Sequence, residues 1–157
     1  MNTLIIAAVL AAPLIIFQPV WAHTDESLDA MPSPHGGQVR AAGPYHLEIV
    51  AKEGELVLHV TDHAWQGIHT EGGEGKATIQ QDKTGSKIIV KLEPSQQNML
   101  KGSGEFQVTP ETVIVVFVKL PEQDAYAARF TPLKPKSVGG GKIAGEHHDH
   151  DDQQMHH

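Results

Sequence analysis

Residues 44–63 read PYHLEIVAKEGELVLHVTDH, two alternating runs joined by Glu53-Gly54, a dipeptide suited to a two-residue hairpin turn. The turn fixes the register. Leu47 is then opposite Val60, Ile49 opposite Leu58 and Ala51 opposite Leu56, so one side of the hairpin is wholly apolar and must face a core. The other side carries His46, Glu48, Val50, Val57, His59, Thr61 and His63, with Glu48 opposite His59 and His46 opposite Thr61. Three histidines and a carboxylate therefore share one face of a hairpin whose other face is buried.

Outward from this hairpin, short alternating or apolar runs recur between Gly, Pro and Asp punctuation, with no helical period. They predict strands at 38–41, 44–52, 55–63, 76–81, 87–92, 97–101, 112–120 and 125–131. The run Val113-Ile114-Val115-Val116-Phe117-Val118 is apolar at every position, as in a strand covered on both faces. Eight short strands in about a hundred residues predict an all-β domain closed as an immunoglobulin-like two-sheet sandwich. The expected division is a signal peptide at 1–22, a flexible lead at 23–34, the β domain at 35–132, and a linker with a His/Asp-rich, disordered tail at 133–157.

Leu4 to Phe17 lacks any charged side chain and is followed by Val20-Trp21-Ala22, which fits a secretory signal cleaved after Ala22. A membrane anchor is the rival, but a spanning helix needs about 20 apolar residues, and this run is interrupted by Pro13. Met1 and Asn2 supply no Lys or Arg, so the positive n-region reduces to the α-amino group. Export predicts a periplasmic address in a Gram-negative cell and no membrane contact after cleavage. The chain has no cysteine, which excludes a disulfide framework, a thiolate metal site and a cysteine nucleophile. A formal charge of -7 argues against nucleic acid, whose binding runs on Lys and Arg.

Histidine is the unusual component, with 11 residues against 12 Lys plus Arg. The tail carries His147, His148, His150, His156 and His157 interleaved with Asp149, Asp151 and Asp152, a composition typical of metal capture; a solubilising tail is the bland alternative. On the hairpin face, diagonal neighbours lie roughly 7 to 8 Å apart, so His46 can converge with His59 or His63. His59 and His63 are about 13 Å apart along one strand and cannot share an ion. Two histidines with Glu48 would make an N/N/O set, joined by His35 or His69 from a loop; ordinary polar residues on a half-exposed strand would look the same. His23, if it becomes the amino terminus, offers its amine and imidazole together to copper(II). Met31, Met99 and Met155 form no repeat. Imidazole suits copper, nickel, cobalt and zinc alike. No Gly-x-Ser-x-Gly, phosphate loop, His-Glu-x-x-His or dinucleotide fingerprint is present, so a binding protein is expected in preference to an enzyme.

Pro34-His35-Gly36-Gly37-Gln38-Val39 followed by Gly43-Pro44-Tyr45-His46-Leu47-Glu48-Ile49-Val50 resembles the amino-terminal β region of periplasmic adaptor subunits of heavy-metal efflux pumps. Small stand-alone periplasmic proteins share that pattern, along with Val60-Thr61-Asp62-His63 and Ala128-Arg129-Phe130-Thr131-Pro132. The resemblance spans roughly residues 34–132 and carries over only His35, Tyr45 and Glu48. It implies a β-sandwich concerned with metal efflux or metal handling, with an efflux adaptor as the partner to expect. The helical hairpin and lipoyl-like parts of a complete adaptor have no counterpart. On the residues alone, His35-Gly36-Gly37 reads equally as a glycine turn at the edge of the fold.

Overall fold

The computed structural model describes residues 25–134, so the predicted leader, His23 and the tail histidines lie outside the described residues. The described chain is a short helix, α1 (Asp25–Ala30), followed by eight strands: β1 (Gln38–Ala42), β2 (Tyr45–Lys52), β3 (Glu55–Asp62), β4 (Glu74–Gln80), β5 (Lys87–Gln96), β6 (Met99–Ser103), β7 (Val113–Lys119) and β8 (Ala125–Phe130). All neighbouring strands are antiparallel, and the sheet runs in the order β1-β2-β3-β6-β5-β4-β7-β8. Among the described residues no helix is long and apolar enough to cross a membrane.

The expected hairpin register is the observed one: Leu47 pairs with Val60, Ile49 with Leu58, Ala51 with Leu56 and Glu48 with His59. Leu47, Ile49, Leu56, Leu58 and Val60 are fully buried, each removal from water worth about 1.5–3 kcal/mol. They meet Ile79, Leu92, Leu100, Ile114, Val116 and Phe130 in a single core. Strand β5 carries the chain between the two halves of the sheet. Its first part pairs with β4, from Gln80–Lys87 to Gly75–Leu92, and its last part pairs with β6, with a register shift between Pro94 and Gln96. Pro94 has no N–H to give to a ladder, which suits it to this irregularity.

The two outer strands, β1 and β8, come together and nearly close the sheet. The Thr131 N–H after β8 donates to Gln38 Oε1 on β1 at 2.7 Å, and Tyr126 of β8 meets Tyr45 of β2 edge to face, centroids 5.4 Å apart. This closure explains Gly43. It turns β1 into β2 at φ +59°, and a Cβ there would lie 2.1 Å from the Tyr126 ring. Only glycine meets both conditions.

Two features differ from the sequence reading. Strand β7 is fully buried on one face only: Ile114, Val116 and Val118 point inward, while on the outer side Val113 and Val115 are half-buried and Phe117 stays exposed, with Lys76 over its ring. Residues 25–30, expected within an irregular lead, form α1. Leu28 is buried, and Asp29 and Asp25 hold Arg40 of β1 at 2.8 and 3.6 Å. Asp25 and Asp29 are four apart, so one turn of helix brings both to the same guanidinium.

Candidate metal centre

The non-core face of the β2–β3 hairpin, expected to be half-exposed, is covered around Glu48. His46 is 2%, Glu48 4% and His59 8% exposed. The cover comes from two loops. The loop at 34–37 folds over Glu48: the His35 and Gly37 N–H groups both donate to Glu48 Oε1, at 2.9 and 3.0 Å, and His35 Nδ1 bonds Oε2 at 2.7 Å. Gly37 lies so close to β2 that a Cβ would be 2.3 Å from the Ile49 carbonyl oxygen. The glycine turn and the His35–Glu48 contact thus belong to one brace, formed because a buried carboxylate must find donors.

That brace places the His35 ring flat on His59, centroids 3.6 Å apart and planes within 1°. Burial first, and then the electrostatic influence of nearby His35, hold the His59 imidazole below its usual value, with Glu48 acting the other way. Since Nδ1–H of His35 faces a carboxylate, Nε2 carries the lone pair of the neutral ring, and the side chain is 45% exposed.

A second pair sits beside the first. His46 Nε2 and His63 Nδ1 are 3.1 Å apart, their rings perpendicular at 89°. His63 Nε2 lies 3.0 Å from the Gly43 carbonyl oxygen. A carbonyl only accepts, so this nitrogen carries the hydrogen, and Nδ1 of neutral His63 presents its lone pair towards His46.

The other loop supplies Trp65, whose ring lies 4.6 Å from that of His46. Trp65 has φ +62°, a conformation costing a bulky residue about 1–3 kcal/mol. Asp62 holds it there. Its Oδ1 accepts the Ala64 and Gln66 N–H groups at 2.8 and 2.9 Å, and its carbonyl accepts Trp65 N–H at 3.0 Å.

His35, His46, Glu48, His59, Thr61, Trp65 and Asn98 all line one cavity of about 320 Å³. A groove of about 390 Å³ on the outer face of β4, β5 and β7 is lined by Ile89, Phe117, Lys76, Lys91 and Lys119 and contains no histidine.

Of the residues picked out from the sequence, the fold brings together His35, His46, Glu48, His59 and His63 as two neighbouring pairs, His35–His59 and His46–His63. His69 is exposed and does not line the cavity. Both Glu48 oxygens are engaged by the loop at 34–37, Oε2 by the His35 ring. Among the described residues no group of three or more His, Asp or Glu side chains is gathered to hold one ion. His23, His147, His148, His150, His156 and His157 lie outside the described residues. Sequence reasoning missed Trp65 and the Gly43 carbonyl; the only hint of the former is Asp62 two residues ahead of Ala64, an Asx-turn spacing.

Compared with known proteins, the chain matches no family model, no curated protein and no solved structure.

Proposed function

We propose that this chain is an exported, non-enzymatic protein that binds a divalent transition-metal ion, copper, nickel, cobalt or zinc, through histidine. It serves as a buffer or metallochaperone linked to heavy-metal efflux in the periplasm. The observation that carries the reading is the packing of four histidines, His35, His46, His59 and His63, in contact pairs against one hairpin face. Imidazoles are costly to bury unless they bond or bind something, and neutral imidazole nitrogen is a good ligand for these ions. With no cysteine, nitrogen, oxygen and thioether are the donors left. The leader at 1–22, the tail histidines and the resemblance to efflux adaptors add to the same reading. So does the finer description of the fold as an immunoglobulin-like two-sheet sandwich, supported by the passage of β5 from one half of the sheet to the other.

The test is titration of each ion into the full chain and into a version ending at Pro135. Binding tighter than about millimolar at neutral pH, near 4 kcal/mol, is expected in both. Absence of binding in both ends the reading. A second reading, an envelope interaction module that docks on an efflux adaptor without metal, is favoured by Ile89 and Phe117, 68% and 45% exposed on one outer face. Recovery of the same partner with and without chelator, from a protein that binds no ion, would select it.

A further inference from the structure

Four histidines offer two nitrogen pairs, and their geometries differ in what they can hold. The lone pair of an imidazole nitrogen lies in the ring plane. His35 and His59 are parallel at 3.6 Å, so their in-plane lone pairs never meet at a common point, and no single ion fits both rings as they stand. His46 and His63 are perpendicular, with Nε2 of one and Nδ1 of the other 3.1 Å apart. An ion about 2.0–2.1 Å from each nitrogen would subtend an N–metal–N angle of about 100°, within reach of tetrahedral or square-planar coordination once the two rings turn their lone pairs off the N–N line towards the ion.

We propose that His46 Nε2 and His63 Nδ1 form a two-nitrogen chelate for one divalent transition-metal ion, covered on the His46 side by Trp65 and open to exchange on the His63 side. This rests on the metal-binding reading and names its site. His63 is ready for the role: its Nε2–H is held by the Gly43 carbonyl, the kind of outer contact that fixes the tautomer and raises the basicity of a metal-bound imidazole. That carbonyl is itself fixed, because Gly43 is wedged against Tyr126. In the metal-free pair, His46 Nε2 carries the hydrogen facing His63. On ion binding the ring's one proton shifts from Nε2 to the buried Nδ1, none is gained or lost overall, and both imidazoles stay neutral. The turn held by Asp62 joins His63 to Trp65 and keeps the indole over His46. His63 is exposed, so an ion with two protein ligands keeps open positions toward solvent. Incoming ligands of another protein can occupy those positions, as a delivery site requires and a closed four-ligand structural site does not allow.

The test uses the full chain, labelled with nitrogen-15, and zinc chloride added until every site is saturated, with the imidazole nitrogens followed by long-range proton–nitrogen NMR. The expected result is that His46 Nε2 and His63 Nδ1 move together to metal-bound positions while His35 and His59 do not. His63→Gln, at an exposed position, should preserve the backbone spectrum and weaken zinc binding at His46 by about tenfold or more. Movement of tail histidines alone, or of His35 and His59 in place of this pair, overturns the chelate while leaving the metal-binding reading intact. If no imidazole moves, both fall.

Discussion

Replacing Glu48 by Gln tests the brace that covers the histidines. Glu48 accepts two backbone N–H groups on Oε1 and the His35 ring on Oε2. Gln keeps the oxygen for the backbone donors, but those bonds lose their charge assistance, and its NH2 meets the His35 Nδ1–H as donor against donor. A hydrogen bond to an ionised group contributes about 1.5–3 kcal/mol and a neutral one about 0.5–1.5. Three bonds downgraded by about 1 kcal/mol each give a loss of about 3 kcal/mol, since Glu48 is 4% exposed and water cannot replace the carboxylate. His35 can recover one bond by moving its proton from Nδ1 to Nε2. Urea denaturation should therefore show the loss, and imidazole nitrogen-15 shifts should show His35 in the opposite tautomer. A loss under about 0.5 kcal/mol with the His35 tautomer unchanged would refute the brace.

Other changes have equally definite outcomes. In metal-free protein the lowered His59 value means that the unfolded chain takes up this proton first as pH falls. The stabilisation is fully present above about pH 6.5 and is lost below it, towards the folded value; urea midpoints should fall more steeply between about pH 7 and 5 than in His59→Gln, and equal slopes would contradict this. Gly43→Ala adds a positive-φ penalty to a collision with Tyr126, so a loss of about 2 kcal/mol or more is expected by thermal or urea unfolding, against less than 1 if the turn can shift. Asp29→Asn removes the negative charge facing Arg40; because Asp29 is 28% exposed, global stability should fall by about 1 kcal/mol or less, while amide exchange in α1 accelerates.

The hairpin was legible because a two-residue turn and a period of two leave one register with a uniform apolar face. The core residues Leu47, Ile49, Leu56, Leu58 and Val60 follow from that pattern. What covers the opposite face was not legible, because Glu48 is met by residues 11 and 13 positions away in a loop with no period of its own. Trp65 reaches His46 only through a positive-φ turn, which propensity disfavours for a bulky side chain. Strand β7 misled for the converse reason: valine suits a strand whether or not its outer face is covered. Helix α1 is too short for a periodic signal and owes its place to Arg40 and Leu28.

The most direct measurement is a crystal structure of the full chain grown with zinc or copper, with diffraction data collected on both sides of the metal absorption edge. The predicted result is an anomalous peak about 2.0–2.1 Å from both His46 Nε2 and His63 Nδ1, beside Trp65. A fully metal-loaded crystal with no anomalous density between His46 and His63 would contradict it.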